Sequence, residues 1–443
     1  MNRSATSPPV HAPERAGGVP VVEVSDLRIY FELKDRTIRA IDGVSFRLFE
    51  NEIVGLVGET GCGKSVTARS LIRLLPVPPA VVAGGSVIFR PGGRCLSCRG
   101  AGCSACNGSG TAMCLACAGA GCSRCAYSGR PAFDLLEVSQ AQLRAIRGVR
   151  IAMIFQDPSK ALNPALNVRD QIAEVLYQHR APELLDVFPD RAPTLIRRAA
   201  HQQSRIGERV LLKLPPLRTS NSRLQGRVDD LVADALAEVQ IPNPRKVMRS
   251  YPHELSGGMK QRVMIAQAMA CDPDVLIADE PTTALDTTVQ ARILELIVEL
   301  QRRRRAAVLY ISHDLSLVRL VCDRVAVMYA GKIAETGNSD DIFRDPKHPY
   351  TQALLDAIPS VAHRGGKLAA IRGTVPEFTD PSPMCRFSNR CPHAAAICPT
   401  EDPPLRSYWG DSHEVACFGY ESAPAWGRSE DEMPVVGEKS SLT

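Results

Sequence analysis

A chain of 443 residues is long enough for one large buried core and a second, smaller unit. Hydrophobic residues at 44% and charged ones at 23% are ordinary globular composition, and a net charge of +5 does not by itself indicate a nucleic-acid or membrane-surface protein. No stretch approaches the roughly 20 consecutive apolar residues that a membrane span requires, so any service to a membrane is expected to be peripheral.

Residues 1–20, rich in Pro, Gly and Ser and without an apolar run, read as a disordered leader rather than a secretory signal. In LRIYF the alternation of Leu27, Ile29 and Phe31 reads as a strand with Phe31 on its buried face. The run IVGLV then has the character of a buried parallel strand. It leads into GETGCGKS, residues 58–65, and on into the helical run VTARSLIRLL. Strand, Gly-rich loop and helix start in that order are the setting of a Walker A phosphate loop. Gly58, Gly61 and Gly63 would let backbone N–H groups turn toward phosphate oxygens, with Cys62 and Val66 in the same ATP-binding stretch. Lys64 would reach the β- and γ-phosphates and Ser65 would bind Mg²⁺, with the helix N-terminus adding its partial positive charge.

The fifteen cysteines are clustered, eight between Cys95 and Cys125 and four between Cys385 and Cys417. In a reducing compartment such clusters point to metal rather than disulfides. The first cluster, Cys95, Cys98, Cys103, Cys106, Cys114, Cys117, Cys122 and Cys125, consists of four CxxC pairs followed by Gly-rich tetrads, and suffices for two tetrahedral structural Zn²⁺ sites. Only Leu96, Met113, Leu115 and Tyr127 are large and apolar between Cys95 and Arg130, too few to fold this segment by burial alone. The solitary Cys62, Cys271 and Cys322 read as small buried fillers.

Further along, IAMIFQDP carries Gln156, and an Arg-rich stretch over 181–232 reads as an enlarged helical subdomain. LSGGM opens a second helix with a possible anion site at Ser256, Gly257 and Gly258. The apolar strand VLIADE ends in two acids: Asp279 suits a Mg²⁺ shell, and Glu280 suits polarisation of an attacking water. AVLYIS ends at His313, a candidate γ-phosphate contact. The run Arg302 to Arg305 follows the helix VQARILELIVELQ, where cations suit the helix dipole and need no nucleic acid.

LSGGMKQR resembles the signature motif of ABC ATPases, in which one subunit's signature closes over ATP held by another subunit's Walker A loop. That resemblance implies a Q-loop at Gln156, touching Mg²⁺ and linking the site to the membrane partner, a D-loop at Asp286, and adenine stacking by Phe31, with Tyr30 the neighbouring possibility. YPHELSGGMKQRVMIAQA and DPKHPYTQALLDAIPS further resemble the D-type ATPase of oligopeptide and dipeptide importers, over roughly residues 20–420. Cys385, Cys391, Cys398 and Cys417 can bind Zn²⁺ or an iron–sulfur cluster, and their loose spacing argues against a zinc ribbon. The resemblance implies a [4Fe–4S] cluster there, with His393 and His413 as nearby alternative ligands. The eight-cysteine insertion is similar to the cysteine-rich repeat of J-domain co-chaperones, although its back-to-back pairs do not carry over a ligand pairing.

The expected fold is therefore α/β, an ABC-type P-loop NTPase with a RecA-like core, an antiparallel β-subdomain and a helical signature subdomain. The ATPase domain would span 21–345, with a zinc module inserted at 91–132. A C-terminal importer region would follow at 346–420, and a disordered tail at 421–443. The resemblance implies ATP and Mg²⁺ as ligands, and a second ATPase subunit, of the F-type, as partner in a heterodimer. Two membrane permease subunits and an extracytoplasmic substrate-binding protein would complete the assembly at the cytoplasmic face of the membrane, with no nucleic acid. The alternative is a soluble ABC ATPase acting on nucleic acid through its zinc module, as in excision repair; that class carries two ABC modules in one chain, whereas one is present here.

Overall fold

A computed structural model describes residues 18–91, 131–185, 187–188, 193–200, 217–283, 285–358, 371, 373–376, 378–379, 383–408 and 413–420. The expected leader apart from residues 18–20, the eight-cysteine segment 95–125 and the tail from 421 lie outside the described residues. The three apolar runs singled out in the sequence form β3 (Ile53–Val57), β7 (Val275–Asp279) and β8 (Ala307–Ser312). They pair in parallel with one another, with β6 (Ile151–Ile154) beyond β7 and β9 (Arg324–Tyr329) beyond β3. The sheet continues antiparallel through β10 (Lys332–Asn338), β12 (Glu414–Val415) and β11 (Arg406–Ser407), giving eight strands in the order β11-β12-β10-β9-β3-β8-β7-β6.

Every residue of β3, β7 and β8 is buried, because apolar groups cover both faces of the sheet. Ile53, Val57, Leu276, Ala278, Val308 and Tyr310 pack into one core among the helices. Val54, Leu56, Val275, Ile277, Leu309 and Ile311 pack into the other, against a second sheet. Two-sided burial explains why these strands read as continuous apolar runs rather than alternating ones.

The second sheet is antiparallel, in the order β2 (Thr37–Leu48), β1 (Val22–Glu32), β4 (Ala80–Phe89) and β5 (Phe133–Asp134). Leu27 and Ile29 are buried as the alternation predicts, but Phe31 is only half-buried. The pairing of β1 with β2 shifts register between Ile29 and Tyr30 because β2 carries an extra residue there, while β1 runs on unbroken against β4, with Ile29, Tyr30 and Phe31 opposite Val82, Val81 and Ala80. Phe31, next to the end of β1, keeps the alternation of Leu27 and Ile29 but is less buried than they are.

In the Arg-rich stretch the described helices are Ala181–Leu185, Thr194–Ala200 and Leu217–Glu238. They pack with Val168–His179 and Gly257–Met269 through Ile172, Leu184, Ile196, Leu224, Val228 and Val232. The arginines in the last turn of the helix Thr287–Arg304 do more than face its dipole. Arg304 forms ion pairs with Glu238 (2.7 Å) and Asp272 (2.9 Å), tying that helix to the helical layer.

Candidate nucleotide site

The C-terminal ends of β3, β8, β7 and β6 are adjacent, where an open parallel sheet binds ligands. β3 runs into the loop 58–63, after which the helix Lys64–Leu71 begins with Gly63 as its N-cap. Gly58 and Gly63 have φ of +148° and +108°. A Cβ on Gly58 would stand 2.1 Å from the Met328 carbonyl oxygen, and one on Gly63 would stand 2.8 Å from that of Ala40. These glycines thus serve close backbone packing behind the loop as well as the turn itself. Cys62 is buried, and burial raises its thiol pKa, so it acts as filler within the loop.

Lys64 is buried, and its Nζ donates to the carbonyls of Gly58 (2.8 Å) and Glu59 (2.9 Å). Ser65 Oγ donates to Asp279 Oδ1 at 2.8 Å. Asp279 is wholly buried at the end of β7, and its Oδ2 has no hydrogen-bond partner. Burial raises its carboxyl pKa despite the Ser65 hydrogen bond. A buried carboxylate oxygen without a donor, beside a serine hydroxyl, is a donor set that suits a hard cation such as Mg²⁺.

Glu280 follows in the left-handed region at φ 47°, held there by its backbone N–H donating to the Ile311 carbonyl at 3.0 Å. Its carboxylate is the centre of a network. Gln156 Nε2 donates at 2.7 Å and Thr283 Oγ1 at 3.1 Å, while His313 Nδ1 lies 3.1 Å away. Burial alone would raise the Glu280 pKa, but the hydrogen bond and charge of His313, with Thr283 and Lys64, outweigh it and leave the group below its usual value. Thr283 is a member that sequence reasoning missed; only its position three residues beyond Glu280 could have drawn notice.

Ser256 caps the helix Gly257–Met269 by accepting the Met259 N–H at 3.3 Å. A Cβ on Gly258 would stand 2.9 Å from Val289 Cγ1, so this glycine also lets two helices meet. Asp286 caps the helix Thr287–Arg304, accepting from Val289 N–H at 3.0 Å. Among the described residues no hydrogen bond joins Ser256, Gly257 or Gly258 to the loop 58–65. Tyr30 is engaged by Asp42, to which its Oη donates at 2.9 Å, and by the Arg39 guanidinium 5.0 Å from its ring centre. Phe31, half-buried between Ile38 and Ala80 on neighbouring strands, has no such partner.

Cys385, Cys391, Cys398 and Cys417 are partly buried and near enough for each pair to interact electrostatically. Burial pushes Cys385 up to about 12 and Cys417 up to about 11. The His393 N–H reaches Cys391 Sγ at 3.4 Å, and the Phe387 and Gly419 backbones likewise hydrogen-bond Cys385 and Cys417. Among the described residues no three or more of His, Cys, Asp and Glu are grouped so as to hold a metal ion. His413 Nε2 lies 2.7 Å from the fully buried Glu335, which occupies it and removes it as a ready ligand.

Comparison with known proteins bears on about nine-tenths of the chain. Residues 41–92 and 107–283 match the ABC transporter family, and residues 334–398 match the oligopeptide/dipeptide transporter C-terminal region. The dipeptide transport ATP-binding protein DppD of Bacillus subtilis is 38% identical over 90% of this chain and 94% of its own length. The chain belongs to the ATP-binding subunits of the oligopeptide/dipeptide ABC importer family. A probable peptide ABC transporter ATP-binding protein of Sinorhizobium fredii is 39% identical, over 90% of this chain and 94% of its own. The oligopeptide transport ATP-binding protein OppD of Bacillus subtilis is 36% identical, over 89% and 87%. The ABC-type P-loop fold follows from membership of this family. The importer-family C-terminal match also covers Tyr350, Cys385, Arg390, Cys391 and Cys398.

Proposed function

We propose that this chain is the ATP-hydrolysing subunit of an ABC importer that energises uptake of di- and oligopeptides across the cytoplasmic membrane. The observation that carries this reading is the convergence of Lys64, the Ser65–Asp279 pair and the Glu280 network at adjacent strand ends, on a chain of this family. In this reading Lys64 leaves the Gly58 and Glu59 carbonyls for phosphate oxygens when nucleotide enters, while the N–H groups of the loop 58–65 orient the phosphates. Ser65, Gln156 and Asp279 would hold Mg²⁺, which when bound neutralises charge on the phosphates. Glu280, ionised and aimed by His313, Gln156 and Thr283, orients the attacking water, so that positioning and electrostatics supply most of the acceleration. Phe31 is the adenine platform, since Tyr30 is already committed. Ser256, Gly257, Gly258 and Asp286 act on nucleotide held by a second ATPase subunit, of the F-type.

The subunit works peripherally at the cytoplasmic face with two permease subunits and a substrate-binding protein; no described helix is long and apolar enough to cross a membrane. Cys385, Cys391, Cys398 and Cys417 are proposed to hold a [4Fe–4S] cluster. Mutually interacting, half-buried sulfurs that accept backbone N–H bonds suit thiolate ligation. Such a cluster would staple a loop-rich region with little regular structure. Two structural zinc ions are proposed at Cys95, Cys98, Cys103, Cys106, Cys114, Cys117, Cys122 and Cys125.

The chain purified without air is expected to hydrolyse ATP only with a divalent cation, and to carry about four irons with equivalent acid-labile sulfide and about two zincs. Absence of ATPase activity in protein that binds its partners would overturn the functional reading. Zinc without iron would overturn the cluster.

A further inference from the structure

The phosphate loop is held from outside the ATPase core. Glu59, its second residue, donates its backbone N–H to Tyr350 Oη at 2.9 Å. The Glu59 carboxylate accepts a fork of two bonds from Arg390, Nη1 to Oε2 at 2.7 Å and Nη2 to Oε1 at 3.0 Å. Such a bidentate pair fixes direction as well as distance, which a lysine cannot do. Tyr350 is fully buried on the helix Pro349–Asp356, and Arg390 ends the short turn Ser388–Arg390 immediately before Cys391. The two are locked to each other through Tyr329, whose Oη accepts from Arg390 Nη1 at 3.2 Å and whose ring lies 4.6 Å from that of Tyr350. Phe387 closes the cluster at 5.2 Å from Tyr329 and 5.4 Å from Tyr350.

The residue gripped in this way is central to the loop. The Glu59 carbonyl accepts from Lys64 Nζ at 2.9 Å and from the Cys62 N–H at 3.3 Å, so fixing Glu59 fixes the turn on which the phosphate-binding lysine rests. We propose that Tyr350 and Arg390 are positioning residues of the ATPase, holding Glu59 so that the phosphate loop is ordered before nucleotide arrives. The inference rests on the reading of residues 58–65 as the ATP phosphate loop. A loop ordered in advance loses less freedom on binding, so the effect falls on affinity rather than on the chemical step.

The test uses the full chain and its assembled transporter. Binding of a fluorescent ATP analogue and steady-state ATPase kinetics are measured for Tyr350→Phe, Arg390→Lys, Glu59→Gln and the double variant Glu59→Gln/Arg390→Gln, with thermal unfolding alongside. Tyr350→Phe and Arg390→Lys are each expected to weaken ATP binding about three- to tenfold and to raise KM by the same factor, with kcat nearly unchanged. The double variant is expected to be no weaker than Glu59→Gln alone, because the two groups act as one pair. Wild-type affinity in both single variants, or a lower melting temperature with wild-type affinity in the folded protein, overturns the proposal. Tyr350→Phe removes one oxygen from an intact ring, so the test stands even if the arginine variants do not fold. Lys64→Ala is the control: if it binds ATP like the wild type, the phosphate-loop reading fails, whereas its loss of binding beside unaffected Tyr350→Phe and Arg390→Lys sinks the positioning role alone.

Discussion

Glu280 concentrates the chemistry that a single residue can show. Its backbone sits where L-residues are disfavoured by about 1–2 kcal/mol, and the bond from its N–H to Ile311 in β8 offsets that cost. The strained position directs the carboxylate to Gln156, Thr283 and His313 together. His313 is the main influence opposing the upward effect of burial on the Glu280 pKa. Glu280 therefore stays ionised down to below the usual carboxylate range, and activity should fall only as pH drops through that depressed value. Replacing Glu280 by Gln keeps the shape but removes the charge, and is expected to lower kcat about 10²–10⁴-fold while ATP binding persists. His313→Ala is expected to move the acid limb of the kcat profile to higher pH, as the burial effect then prevails. An unmoved limb in a variant with measurable turnover would remove His313 from this role.

Among elements, the helix Pro349–Asp356 shows most clearly what the sequence hides. The segment HPYT reads as a family mark without catalytic logic, yet its tyrosine touches the phosphate loop from 291 positions away. Local spacing cannot encode a contact of that separation, just as it cannot encode the 331-residue reach of Arg390 to Glu59. By contrast, Asp279, Glu280 and His313 were legible at or just after the ends of apolar strands, and Lys64 and Ser65 at the start of the helix that follows the Gly-rich loop after β3, where type and position coincide. Phe31 is less buried than its alternation suggests, because burial near the end of a strand depends on what packs over that end.

The same helix carries a pH dependence. His348 is buried, its Nδ1 accepts the Tyr350 N–H at 3.0 Å, and burial pushes its pKa down to about 4. The folded-state value lies below the unfolded one, near 6.5, so the unfolded chain binds the extra proton. The resulting stability is fully present above about pH 6.5 and lost as pH falls toward 4, on the order of 3 kcal/mol across that window. His348→Gln, which can still accept the Tyr350 N–H, is expected to flatten denaturant midpoints between pH 6.5 and 4.5. An unchanged slope would show that other groups set the acid sensitivity.

At the scale of the whole molecule, the proposed function has the chain present half of two sites. One is its own phosphate loop. In the proposed reading the other is the exposed signature at Ser256, which is not hydrogen-bonded to that loop among the described residues and would meet nucleotide on another subunit. The C-terminal region is joined to the first half through Tyr350 and Arg390 and to the eight-stranded sheet through β11 and β12. It is thereby a structural part of the ATPase rather than an appended tail. The antiparallel edge formed by these short strands could not be read from the sequence, since two-residue strands leave no periodicity.

The central claim, that ATP hydrolysis by this chain drives peptide entry, is tested most directly by uptake of radiolabelled di- and oligopeptides into cells carrying either the wild-type chain or Glu280→Gln at equal abundance. Uptake with the wild type and its loss with Glu280→Gln is the predicted result. Equal uptake in both, with ATPase activity of the purified chain stimulated instead by DNA, would contradict it.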